Sequence, residues 1–291
     1  MQDAFGTVIT AMVTPFTADG ALDTEGLATL ASHLVDSGND GLVINGTTGE
    51  APTTSDEEKV RALQVVLEAV GNRAKVIAGV GTNDTAHTVE LAQQAAAAGA
   101  HALLIVTPYY NKPPQAGLLH HFRTAADATE LPVMLYDIPG RSAAEIATPT
   151  LVELAEHPRI LAVKDAKGDL AASSRVLSAT DLLYYSGDDA MNLPLMSVGG
   201  TGFVSVVGHF VAPELVAMRK AFIAGDLEAA QQLHYQSLAV TDAVFVTQAA
   251  MTVKAVLARQ GLPGGPVRAP LVAATDEQVA GVLTALEAIS G

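Results

Sequence analysis

Cysteine is absent from the 291 residues, which excludes disulfides, thiolate nucleophiles and zinc–thiolate centres. Positive charge is scarce: 16 lysines and arginines face 31 aspartates and glutamates, a formal charge of −15. That balance argues against nucleic acid and anionic membrane as partners. It also makes the few inward-facing cations informative, because an anionic substrate needs positive potential supplied locally. No apolar run approaches the roughly 18 residues of a membrane span, and no basic region leads into an apolar stretch at the N-terminus. The chain therefore reads as soluble and cytoplasmic. Aromatic residues make up 4% of it, so the tandem Tyr109-Tyr110 stands out. The histidines show no metal-binding spacing; His120 and His121 are adjacent and would diverge on a helix. Neither a metal nor a cofactor is expected.

What the chain does have is apolar bulk, 49% of its residues, and a regular alternation. Strand candidates lie at 6–14, 41–45, 76–80, 102–106, 133–138, 160–163, 182–185 and 203–207. Helical patterns follow them at 23–35, 55–70, 84–98, 116–129, 149–155, 171–180, 192–198 and 213–223. Asp23 reads as the first N-cap and Gly38 as the matching stop. Strict βα alternation without a hairpin signal predicts a parallel sheet. Eight units predict closure into an α/β (β/α)8 TIM barrel over residues 1–224. A doubly wound open sheet usually stops at about five or six strands, and no G-x-G-x-x-G follows the first strand here. Residues 225–291 change character: 226–260 and 275–289 are helical around a stiff loop at 261–270. They read as a C-terminal helical domain packed on the barrel or on a partner subunit.

Lys164 is out of place in this pattern. It lies in Ile160-Leu161-Ala162-Val163-Lys164-Asp165-Ala166, an apolar strand of the kind buried on both faces. Alternation sets it between Ala162 and Ala166 on one face, with Val163 and Asp165 on the other. A lysine at a strand end can snorkel to water. Held in an apolar pocket, it has a lowered pKa and an amine free to attack carbonyls. The other lysines are weaker candidates: Lys75 opens a strand at the opposite face, Lys59, Lys220 and Lys254 sit on helices, and Lys112 and Lys167 lie in loops.

Parallel barrels place their sites at the carboxyl ends of the strands, and hydroxyls, glycines, one arginine and one lysine gather there. Gly46-Thr47-Thr48-Gly49-Glu50 reads either as an anion cradle of backbone N–H groups and hydroxyls or as a plain helix entry. Tyr136 shares a face with Met134 and projects inward, where a phenol can relay protons. Arg141 follows a Pro-Gly turn. Asp188 and Asp189 read as a helix start rather than as catalytic carboxylates.

These stretches carry a resemblance. GTTGE at 46–50, TPYYNKP at 107–113, YDIPGR at 136–141, VKDA at 163–166 and SGDD at 186–189 closely resemble the dihydrodipicolinate synthase family. These are pyruvate-dependent class I aldolases of the diaminopimelate route to lysine, and the likeness spans essentially the whole chain. It implies a barrel with a C-terminal helical domain, assembled as a homotetramer (a dimer of dimers), acting on pyruvate and aspartate semialdehyde. Lys164 then forms the Schiff base. Thr47, Tyr136 and Tyr110 form a proton relay, with Tyr110 donated across the tight dimer. Thr48 holds the pyruvate carboxylate, Arg141 that of the semialdehyde, and Gly187 and Val204 supply pocket backbone. Asp137 and Asp165 stand where Asn and Glu are common in the family, and Lys167 where Thr is common.

Two other readings compete. Related lyases acting on N-acetylneuraminate or 2-keto-3-deoxy sugar acids are similar in the lysine, the tyrosine and the Thr-Gly-Glu motif, but generally lack an arginine at the position of Arg141. A non-catalytic ketoacid-binding paralogue would be expected to have lost part of Lys164, Tyr136, Thr47 and Tyr110. The resemblance also implies an interface site for lysine as feedback inhibitor. Asn83 and Tyr109 match it, whereas Asp56 and His87 replace its usual histidine and glutamate, so weak or absent inhibition is expected.

Overall fold

The computed structural model describes residues 4–290, and in it eight parallel strands close into one barrel in sequence order. The strands are β1 (Val8–Ala11), β2 (Gly41–Ile44), β3 (Lys75–Gly79), β4 (Ala102–Val106), β5 (Val133–Asp137), β6 (Ile160–Asp165), β7 (Leu183–Ser186) and β8 (Gly202–Ser205). β1 pairs with both β2 and β8, so the sheet has no free edge. Helices α1 (Thr24–Asp36), α2 (Asp56–Val70), α3 (Thr85–Ala97) and α4 (Gln115–Asp127) join the first five strands. A single turn, α5 (Pro139–Ser142), precedes α6 (Thr148–Leu154); α7 (Leu170–Ala179), α8 (Asn192–Met196) and α9 (Gly208–Ile223) complete the ring.

Local chemistry starts these helices where the sequence says. Asp23 accepts from Gly26 N at the start of α1, and Ser55 and Glu58 form a reciprocal capping box at α2. Gly38 ends the first unit with φ +108°, a conformation that favours glycine. Alternation along the strands then sorts side chains into two layers. Ile9, Val43, Ile77, Leu104, Met134, Ala162 and Val204 fill the barrel, while Leu42, Leu103, Leu135, Val163 and Phe203 face the helices. Fully burying each of the Val, Leu, Ile, Met and Phe side chains among these contributes about 1.5–3 kcal/mol.

The structure departs from the predicted boundaries in places that matter. β6 runs on to Asp165, because Ala166 N donates to Asp137 O and keeps the two strands paired past Val163. Lys164 therefore sits within the sheet, in register with Tyr136 and Tyr185. α9 begins at Gly208 rather than 213, with a kink at Val211 two residues before Pro213. The stretch at 226–260 is two helices, α10 (Leu227–Val244) and α11 (Ala249–Arg259), bent by 103°. Thr252 donates its hydroxyl to Val244 O and satisfies the end of α10. The last helix, α12 (Asp276–Ser290), is capped by reciprocal bonds between Thr275 and Gln278. Among the described residues no single helix is long and apolar enough to cross a membrane.

Candidate active site

Lys164 is 4% exposed and its Nζ lies 4.1 Å from the centre of the Tyr136 ring. Burial lowers its pKa to about 7; the charge of Asp189 opposes the fall and that of Arg141 assists it. A large fraction of the amine is thus free near neutral pH. Room for it comes from Gly187: a Cβ there would stand 2.8 Å from both Cγ and Cε of Lys164. Asp165 faces away, accepting from Ser173 Oγ at 2.8 Å and from Lys167 N at 2.8 Å.

Tyr136 is buried near the carboxyl end of β5, facing the barrel interior, and burial raises its pKa to about 12. Arg141 and a side-chain hydrogen bond with Thr47 partly offset that rise. The phenol therefore stays protonated at neutral pH while linked to a second hydroxyl. Thr47 is held by the tight path of the 46–50 loop, in which Gly49 N donates to Gly46 O and Glu50 N to Thr47 O. Thr48 is buried in the same loop. Val204 lines the barrel interior on β8 together with Tyr136 and Tyr185.

A cleft of about 550 Å³ opens at this rim, and Thr47, Glu50, Tyr109, Tyr136, Arg141 and His87 are among the residues that line it. Arg141 stands exposed in α5 at the mouth. Thr47, Tyr136 and Arg141 thus line the cleft, and Lys164 lies against Tyr136 and Gly187. Tyr110 is the exception. It takes a left-handed backbone, φ 75°, and is 88% exposed, so it does not reach the others within its own chain.

Several buried charges have partners that the sequence does not show. Glu50, itself at φ 58°, accepts from Lys254 Nζ at 2.6 Å and from Arg268 N at 2.8 Å. Lys254 is therefore not a surface residue of its helix but 1% exposed. The argument that marks Lys164, a lysine between apolar neighbours, applies equally to Val253-Lys254-Ala255. Asp188 caps a short turn, whereas Asp189 is buried, accepting from Val206 N, Val207 N and the Ser205 and Asn192 side chains. His209 bridges the barrel seam: Val13 N donates to its Nε2 and its Nδ1 donates to Val206 O. Asp137 and Lys167 pair at 3.0 Å behind β5 and β6.

Comparison with known proteins gives consistent matches. A family model for the dihydrodipicolinate synthetase family matches residues 4–289. The chain is 62% identical over 277 residues to 4-hydroxy-tetrahydrodipicolinate synthase 2 of Streptomyces coelicolor, covering 95% of this chain and 93% of that protein. It is 64% identical over 276 residues to the 4-hydroxy-tetrahydrodipicolinate synthase of Acidothermus cellulolyticus, covering 95% and 90%. A solved dihydrodipicolinate synthase from Cyanidioschyzon merolae with lysine bound is 41% identical, with a TM-score of 0.96 and 99% of each chain covered.

Proposed function

The chain belongs to the dihydrodipicolinate synthetase family, and from that premise we propose that it condenses pyruvate with L-aspartate 4-semialdehyde to 4-hydroxy-tetrahydrodipicolinate. This is a lyase of the class I aldolase type, acting in diaminopimelate and lysine biosynthesis. The observation that carries the reading is the buried Lys164 amine against a protonated Tyr136 that is itself bonded to Thr47.

The free amine of Lys164 attacks the ketone carbon of pyruvate, and the carbinolamine loses water to give an imine. Tyr136 donates and retrieves the protons that these steps move, passing them through Thr47. Loss of a methyl proton gives the enamine, whose carbon attacks the aldehyde. The amino group of the semialdehyde then attacks the imine carbon, closing the ring and releasing Lys164. Thr48 and the backbone of the 46–50 loop hold the pyruvate carboxylate, and Gly187 and Val204 shape the pocket around the imine. Arg141 at the mouth receives the carboxylate of the second substrate through paired hydrogen bonds.

Tyr110 completes the relay from a neighbouring subunit, which its exposure favours. A homotetramer built as a dimer of dimers in the cytoplasm is the assembly this reading carries, with residues 225–291 as a C-terminal helical domain.

Treatment with pyruvate and borohydride should fix mass irreversibly on Lys164, and a coupled assay should show turnover with aspartate semialdehyde and not with sugar aldehydes. Labelling at Lys112 or Lys167 with Lys164 unmodified, or preference for sugar aldehydes, would overturn the assignment.

A further inference from the structure

Asp137 and Lys167 follow the two reacting residues, one position after Tyr136 and three after Lys164. Their side chains lie on the outer side of the sheet, where Asp137 is fully buried and Lys167 nearly so. Asp137 and Asp165 are register partners on neighbouring strands, which sets two carboxylates side by side. Lys167 serves both, its backbone N donating to Asp165 Oδ1 at 2.8 Å and its Nζ to Asp137 Oδ2 at 3.0 Å.

The pair also grips a third element. Ile146 N donates to Asp137 Oδ1 at 3.2 Å, and Lys167 Nζ donates to Ile146 O at 3.3 Å. Ile146 is the far end of the segment that leaves β5 at Ile138, forms α5 and carries Arg141. That segment begins beside Asp137 and is returned to Asp137 eight residues later, so both its ends are fixed to one carboxylate. Within it, Arg141 N and Ser142 N donate to Ile138 O. Arg141 itself is exposed, so its direction follows from how firmly this loop is held.

We propose that the Asp137–Lys167 pair is a clamp that positions Arg141, and with it the second substrate, without touching either substrate. The proposal rests on the reading that Arg141 binds the carboxylate of aspartate semialdehyde. A buried pair costs desolvation that an apolar pair would avoid, and burial already pushes the Asp137 carboxyl up to about 6 against the pull of Lys167. Such a pair is best explained here by what it orients. Losing one partner strands the other's charge, whereas a neutral pair that keeps the bonds to Ile146 does not. Asparagine at 137 accepts from Ile146 N and can donate to Ile146 O in place of the ammonium.

Three variants test this: Lys167→Met, Asp137→Asn, and the two combined. Lys167→Met should raise KM for aspartate semialdehyde by on the order of tenfold to a hundredfold, with borohydride trapping by pyruvate changed less than about twofold. The combined variant should recover most of that loss. Amide hydrogen exchange across 138–146 should speed up in Lys167→Met and return in the combined variant. Equal loss with both substrates, or unchanged exchange in that segment, would overturn the clamp. Should Lys167→Met not fold, a fourth variant, Asp137→Ala, which removes the acceptor for Ile146 N, must show the same one-sided rise in KM or the proposal fails. A parent enzyme that traps pyruvate yet ignores aspartate semialdehyde would refute the reading of Arg141, while hydrogen exchange would still decide whether the clamp exists.

Discussion

Lys254 Nζ stands 2.6 Å from Oε1 of Glu50, although 204 residues separate the two in sequence. Each is 1% exposed, and Nζ also donates to Pro266 O while lying 4.2 Å from the centre of the Phe16 ring. Glu50 closes the loop that holds Thr47. Lys254→Met should therefore leave a buried carboxylate without its cation and cost about 3–5 kcal/mol of stability. Denaturant unfolding of Lys254→Met against the combined Glu50→Gln, Lys254→Met protein checks this; the neutral pair should recover much of the loss.

Arg141→Ala should leave imine formation with pyruvate largely intact and impair use of the aldehyde. A charged hydrogen bond contributes about 1.5–3 kcal/mol, so roughly one to two orders of magnitude should vanish from kcat/KM for aspartate semialdehyde. Steady-state kinetics with each substrate varied in turn separate the two effects. Equal impairment would make Arg141 structural.

The exposure of Tyr110 leads to a complementation experiment. Tyr110→Phe chains and Lys164→Ala chains should each be nearly inactive alone. Mixed within one dimer, they should regain activity, because one of the two sites then holds a full set. Verified exchange of subunits with no activity would exclude donation across the interface.

Inhibition by lysine should be weak or absent. Asp56 Oδ2 already lies 2.8 Å from His87 Nε2, and Lys59 Nζ is 3.5 Å from Asp56 Oδ1. The hydrogen bond with His87 holds the Asp56 carboxyl below its ordinary range. An incoming ammonium must displace these partners and gains no fresh carboxylate in return. Initial rates at saturating pyruvate, titrated into the millimolar range of lysine, are the measurement; saturable inhibition there contradicts this expectation.

Acid should weaken the barrel at its seam. Burial lowers the pKa of His209 to about 4 from 6.5, and that of His121 likewise to about 4. Between those values the unfolded chain binds protons that the folded chain refuses. Stability is therefore full above about 6.5 and falls as pH drops toward about 4, by up to about 3 kcal/mol for each histidine. Urea unfolding at pH 7 and pH 5 should show a smaller drop in His209→Gln than in the parent. An equal drop would place the acid sensitivity elsewhere.

Much of this was legible in the chain because it is local. Short apolar runs between caps such as Asp23 and Ser55 mark eight βα units, and a lysine between Ala162 and Ala166 marks the proposed nucleophile. Alternation likewise marks Tyr136 as inward-facing with Met134, and both lie in the barrel interior. What escaped depends on side chains meeting across long separations or on how far a strand continues. Lys167 is a loop residue as read, but its pairing with Asp137 shows only once β5 and β6 are seen to pair past Val163. Lys254 reads as one helical lysine among several until α11 is seen packed against the 46–50 loop. The bend between Val244 and Ala249 has no glycine or proline to announce it, and it depends on the Thr252 hydroxyl reaching Val244 O.

The distance in sequence between Glu50 and Lys254 also orders events in time. A ribosome adding about 5–20 residues per second delivers Lys254 roughly 10 to 40 seconds after Glu50. The six strands β3 to β8 are made in that interval, so the barrel can assemble while the carboxylate of Glu50 still lacks its cation. The nascent chain thus has Lys164 and all its strands before its Thr47 loop is locked. The cation that locks that loop arrives with only about an eighth of the polypeptide still to be made.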